Sequence, residues 1–121
     1  MTEEAPDWAR PIVHWEIAAR DPELLRKFYG RLFNWSIKEA GIVLTIDPGI
    51  GGPEPGPGGH IRQDERTGVT LYVQVRDLGA SLQRAVELGG KVVVERIQVP
   101  DGATLALIED PESNRVMLVQ Q

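Results

Sequence analysis

The order of structural signals repeats halfway along this chain. Displacing the 121-residue sequence by 56 positions superposes Val13 on Val69, Arg20-Asp21 on Arg76-Asp77, Leu32 on Leu88 and Glu39 on Glu95. Few identities recur. What recurs is the order strand, helix, strand, strand, strand, with both helix caps in register, and agreement between independent local signals is what specifies a fold. Two such units each bury one sheet face beneath a helix and leave the other face free to join as one curved sheet around a cavity. The expected class is α+β: two tandem βαβββ modules, about 11–63 and 68–121, within a single domain. A chain of this length buries a core without disulfides or a structural metal.

In the first unit, Val13, Trp15 and Ile17 alternate with His14, Glu16 and Ala18. That pattern predicts a strand with one apolar and one mixed face. In "RDPELLRKFYGRLF", Asp21 suits a helix cap and Pro22 its first turn, and Leu24, Leu25, Phe28, Tyr29 and Leu32 form an apolar stripe. Trp35 to Glu39 and Ile42 to Asp47 predict two short strands joined at Ala40-Gly41. In "PGIGGPEPGPGG", Pro48 to Gly59, ten of twelve residues are Gly or Pro. Such a run excludes a helix or a central strand and predicts a mobile surface loop, with a lid over a pocket as the functional alternative. It lacks the G-x-x-x-x-G-K-[ST] pattern of a phosphate loop. "GHIRQ", Gly59 to Gln63, completes the unit as a fourth strand.

The second unit begins with "VTLYVQVRD", where Leu71, Val73 and Val75 alternate with Thr70, Tyr72 and Gln74. Asp77 caps a helix carrying Leu78, Leu82, Ala85, Val86 and Leu88, which stops at Gly89-Gly90. Three strands follow at Lys91–Val99, Thr104–Glu109 and Arg115–Gln120, separated by the turn signals "PDG" and "DPESN".

Composition narrows the partners. Thirteen basic residues against eighteen acidic give a net charge of -5, which repels phosphate backbones, and no run of basic residues interrupts that balance. Nucleic acid is not an expected partner. The acidic start "MTEEAPDWARP" has no apolar signal region, and no later apolar run approaches membrane-spanning length, so no membrane association is expected. With zero cysteines, thiolate metal sites and disulfides are excluded. The expected location is the cytoplasm.

"HWEIAARDPELLRKFYGRLFNW" early and "LIEDPESNRVMLV" late, set in the paired βαβββ pattern, resemble the vicinal oxygen chelate superfamily, which includes glyoxalase I, bleomycin-resistance proteins and extradiol dioxygenases. The resemblance runs from Pro11 to Gln120. It implies a homodimer with a small-molecule cavity. It also implies, in metal-dependent members, a divalent cation held by one side chain from each of the first, fourth, fifth and eighth strands. Several N/O donors neutralise such a cation while open positions let a ligand chelate it. Carried over by position, His14 matches the first-strand ligand and Thr70, its repeat mate, the fifth. Met117 falls on the eighth-strand position, and the fourth falls on His60 or Ile61, since a one-residue slip reverses the face. Thr is a weak neutral donor and Met prefers soft metals, so no resident metal is expected.

The residues themselves leave several readings open. His14 and its face-mate Glu16 could act as an acid-base pair or as two metal donors, or merely form a polar sheet face. His60, between the Gly/Pro run and Arg62, reads foremost as an exposed strand residue. Tyr72 and Gln74 share the face of Thr70 and could line a cavity. Glu109 and Asp110 suit a turn cap, Trp15 and Trp35 the core, and Trp8 a tail packed on a partner subunit. The leading expectation is a metal-independent small-molecule-binding protein whose pocket candidates are His14, Glu16, His60, Thr70, Tyr72, Gln74 and Met117. The alternative is a metal-dependent lyase or dioxygenase using His14, Glu16 and His60. A third reading is a non-catalytic subunit whose cavity is filled by its own side chains.

Overall fold

The computed structural model describes residues 9–48 and 56–120. Its elements follow the repeated order: β1 (Ile12–Ala19), α1 (Pro22–Phe33), β2 (Ile37–Ala40), β3 (Val43–Ile46), β4 (Gly59–Gln63), β5 (Gly68–Gln74), α2 (Leu78–Glu87), β6 (Lys91–Gln98), β7 (Thr104–Glu109) and β8 (Arg115–Gln120). All eight strands form one curved sheet in the order β2-β3-β4-β1-β5-β8-β7-β6. The class is α+β, as the repeat predicts. The halves meet edge to edge through antiparallel β1 and β5, and each half carries one parallel pair, β1 with β4 and β5 with β8.

Both helices start where the sequence places their caps. The Asp21 carboxylate accepts the Leu24 N–H at 3.2 Å, and Asp77 accepts the Ala80 N–H at 3.0 Å, each satisfying a donor that the first helical turn leaves open. α1 then ends at Asn34 in the left-handed conformation. Its apolar stripe divides in a way the spacing does not foretell. Leu25 and Tyr29 pack on the core of Ile17, Ile37, Leu44, Ile46 and Ile61, whereas Leu24, Phe28 and Leu32 face outward, each more than half exposed. In α2, Leu78 and Leu82 are buried with Ala106 and Leu118, while Val86 and the C-cap residue Leu88 are exposed.

Three local expectations are corrected. β2 begins at Ile37 rather than Trp35, whose ring instead packs beside Trp15 and Tyr29. The β2–β3 turn falls on Gly41-Ile42, because Ala40 pairs with Val43 and Gly41 takes the positive φ of 62° that a residue with a Cβ adopts at a cost. Finally, Val13 does not share the helix face with Trp15 and Ile17. A bulge between Ile12 and His14 turns Val13 onto the opposite side, where it packs against the Tyr72, Met117 and Val119 cluster. Trp15 does take its expected place in the core beneath α1. The Gly/Pro loop and Trp8 lie largely or wholly outside the described residues.

Candidate functional site

Strand register decides which side chains meet on the concave face. Glu16 lies opposite both His60 on β4 and Thr70 on β5, and His14 lies opposite Tyr72, which in turn faces Met117 on β8. Side chains directly across a sheet share a face, so His14, Glu16, His60, Thr70, Tyr72 and Met117 all point to one side. Ile61, the alternative to His60, is wholly buried in the core beneath α1.

Four of these side chains form one hydrogen-bonded chain. His14 Nε2 stands 2.7 Å from His60 Nδ1, with the two rings stacked at 5.0 Å between centroids. His60 Nε2 stands 2.9 Å from Glu16 Oε1, and the Tyr72 hydroxyl donates to the same oxygen at 3.4 Å. Arg62 clamps the carboxylate from the other side, Nε to Oε1 at 2.9 Å and Nη2 to Oε2 at 3.4 Å, and donates to Asp64 at 3.0 Å. The expectation of an exposed His60 is thus corrected. Its side chain is 14% accessible because pairing of β4 with β1 seats it between His14 and Glu16.

Electrostatics fix the protonation pattern. Burial would raise the Glu16 carboxyl, but hydrogen bonds from His60 and Arg62 and the Arg62 charge outweigh it and hold the group at about 2. The same bond to Glu16 raises Arg62 further above its already high range. Burial pushes the Tyr72 phenol up, aided by the Glu16 charge, so it remains a donor. For His14, burial and the neighbouring His60 lower the imidazole against the opposing pull of Glu16. An ionised carboxylate only accepts, so His60 carries its proton on Nε2. In the tautomer in which His60 Nδ1 accepts, the donor is His14 Nε2–H, and His14 Nδ1 is left with the free lone pair. The chain can therefore take a proton or a hydrogen bond from a ligand at His14 and balance the charge through His60 onto Glu16.

A divalent cation fits this donor set poorly. Both ring nitrogens of His60 are engaged, and Arg62 already neutralises the Glu16 carboxylate. Met117 is buried among Tyr72, Val119 and apolar neighbours, and Thr70 brings a weak donor. Among the described residues no group of three or more His, Asp or Glu converges as ligands.

The remaining candidates fall outside the chain. Gln74 sits at the far end of β5 opposite Val119 and makes no hydrogen bond to the histidines. Asp110 is a turn cap, as expected, accepting the N–H groups of Glu112 and Asn114, both at 2.9 Å. Arg62 is the participant that the sequence reading passed over. Alternation along β4 was the available signal, since a residue two beyond His60 shares its face.

A family model described as a glyoxalase-like domain matches residues 14–119, from the first histidine of the site to the last strand. The chain belongs to this glyoxalase-like family. It is also 27% identical over 108 residues to a glyoxylase-like domain-containing protein of Didymella fabae, covering 82% of this chain and 84% of that one. Its fold is that of the vicinal oxygen chelate superfamily, and two of the solved structures that share it illustrate the likeness. One is a glyoxalase/bleomycin resistance protein/dioxygenase superfamily member from Vibrio splendidus, with a TM-score of 0.66 and 13% identity, covering 93% of this chain and 100% of that one. The other is methylmalonyl-CoA epimerase of Streptomyces coelicolor bound to 2-nitronate-propionyl-CoA, with a TM-score of 0.65 and 13% identity, covering 91% and 93%. Within this glyoxalase-like chain, the histidines and Glu16 all come from the first module.

Proposed function

We propose that this glyoxalase-like protein binds a small molecule on the concave face without a metal, the ligand lying against His14 with Tyr72 and Thr70 beside it. The observation that carries this reading is the saturation of the donors a metal would need: His60 spans His14 and Glu16, and Arg62 holds Glu16. What remains available is an imidazole edge, a mode of ligand recognition that needs no cation. The S. coelicolor epimerase, which has the same fold, holds a CoA derivative.

Two measurements test the reading. Elemental analysis of untagged protein is expected to show no stoichiometric Zn, Ni, Mn or Fe, before or after dialysis against those ions. Stoichiometric metal would sink this reading and favour a lyase or dioxygenase centred on His14, Glu16 and His60. A thermal-shift screen of metabolites and antibiotics is expected to yield ligands that raise the melting point by mass action, an effect lost in H14A. A chain that no compound stabilises would favour a non-catalytic subunit.

The same reading includes a homodimer in the cytoplasm. The absence of cysteine fits a reducing compartment. An apolar groove of about 550 Å³ between α1 and the central strands is lined by Ile12, Trp15, Tyr29, Val69 and Leu71, and α1 itself exposes Leu24, Phe28 and Leu32. Contiguous apolar surface of this kind marks interaction sites. Sedimentation equilibrium is expected to give twice the chain mass, and a monomer at micromolar concentration would refute the dimer.

A further inference from the structure

At one end of the concave face, beside Glu16, a cleft of about 190 Å³ opens between the β4–β5 turn and the β7–β8 turn. Its walls bring together Arg62, Arg66 and Arg115 from separate parts of a chain whose net charge is -5. The facing carboxylates are Glu16 and Asp64, and Arg62 binds both. Arg115 has its ion pair with Glu109, just outside the cleft, which leaves Arg66 as the guanidinium without a carboxylate partner among the described residues. That ion pair leaves a donor of Arg115 without a hydrogen bond. Its Nε is shut away from solvent with no hydrogen-bond partner among the described residues, and the Glu109 carboxylate, at 3.7 Å, is too distant to serve.

Guanidinium groups outnumber carboxylates among the residues that line the cleft, and the Arg115 side chain as a whole is 31% accessible, so the cleft favours an anion. The surroundings are held ready. The β7–β8 turn is tied by Asp110 to Glu112 and Asn114, and Ser113 and Asn114 of that turn line the cleft together with Thr70. The cleft has the volume of a small anionic group rather than of a whole metabolite.

We propose that this cleft is an oxyanion subsite, in which Arg115 and Arg66 hold a carboxylate or phosphate group of the ligand. Planar guanidinium donors match both groups by paired hydrogen bonds. This inference deepens the ligand-binding reading above and rests on it. Because Glu16 borders the cleft and bonds His60, the anionic group would anchor one end of the ligand while the rest extends along the concave face toward His14.

The test follows arginine Nε–H resonances of the whole chain by NMR during titration with sodium phosphate, sodium acetate and, at equal ionic strength, sodium chloride. Saturable shifts with phosphate or acetate beyond those with chloride are expected, weakened at least tenfold in R115M and severalfold in R66M. R31M, on the exposed side of α1, should bind as wild type does. Saturation by phosphate alone assigns a phosphate group, and by acetate alone a carboxylate. Should R115M fail to fold, exposed Arg66 still decides through R66M. Shifts that merely track ionic strength, or saturation that R66M and a folded R115M leave unchanged, overturn the proposal. The two readings fail separately, because these anions probe the cleft with no organic ligand present, whereas the compound screen with H14A probes the histidine end.

Discussion

Glu16 and Arg62 are joined by two hydrogen bonds, 2.9 and 3.4 Å, across the parallel pair β1 and β4. The carboxylate is 6% accessible and the guanidinium 40%, so one partner is buried and the other reaches water. The asymmetry predicts unequal costs. R62M strands a buried charge and is expected to lower stability by about 2–3 kcal/mol, below the figure for a wholly buried pair because water still reaches the gap. E16Q R62M, which removes the charge as well, is expected to recover part of that loss. Urea denaturation of wild type and both variants checks the order; equal stability of R62M and wild type would refute it.

The His14–His60–Glu16 chain predicts tautomers. At pH 8, long-range ¹⁵N–¹H correlation spectra are expected to show His60 protonated on Nε2 and His14 protonated on Nε2, with both Nδ1 atoms carrying lone pairs. In E16Q the reason for fixing the His60 proton is gone, and a mixture of His60 tautomers is expected. Finding His60 protonated on Nδ1 in wild type would contradict the geometry of the chain.

The same chain sets the response to acid. Glu16 ionises at about 2 in the folded state, well below its ordinary value, so its contribution to stability is fully present above the unfolded carboxyl range and is lost as pH falls toward 2. That contribution is about 3 kcal/mol at neutral pH. His14 acts in the same direction. Its lowered value means that charging it opposes folding, and the loss begins as pH drops below the unfolded histidine value. Denaturation midpoints measured from pH 7 to pH 3 should fall more steeply in wild type than in E16Q, and parallel curves would show that Glu16 does not govern the acid limb.

The sequence carried the fold in its caps and alternation because both are local. Asp21 and Asp77 act within three residues of themselves, and the repeat then fixes which strands pair. It carried the histidine site less well. His60 and Ile61 have opposite fates, one in the hydrogen-bonded chain and one in the core, and only the pairing of β4 with β1 distinguishes them. Val13 shows the limit from the other side, because a one-residue bulge reversed its face without any mark in the alternation. Arg66 and Arg115 are 49 positions apart in sequence, so their meeting in one cleft is a product of the β5–β8 pairing and not of any basic run.

Gly59 is the point at which packing of the core controls the position of the site. It pairs with Trp15 across β1 and β4, and a Cβ added there would fall into the Trp15 indole ring. The indole cannot simply withdraw, since it packs against Trp35 and its Nε1–H donates to the Pro57 carbonyl at 2.8 Å. G59A must therefore displace the ring or shift β4 along β1, and any shift of β4 moves His60, the next residue, relative to Glu16. The expected cost is about 1–3 kcal/mol, as for overpacking elsewhere, with a melting point lower by several degrees. G56A, whose added methyl group meets nothing within 4 Å, is the matched control and should melt as wild type does. The His14 and His60 ring resonances should move in G59A and stay in place in G56A. Unchanged ring resonances in a destabilised G59A would show that the Trp15 contact supports the core without positioning the histidines.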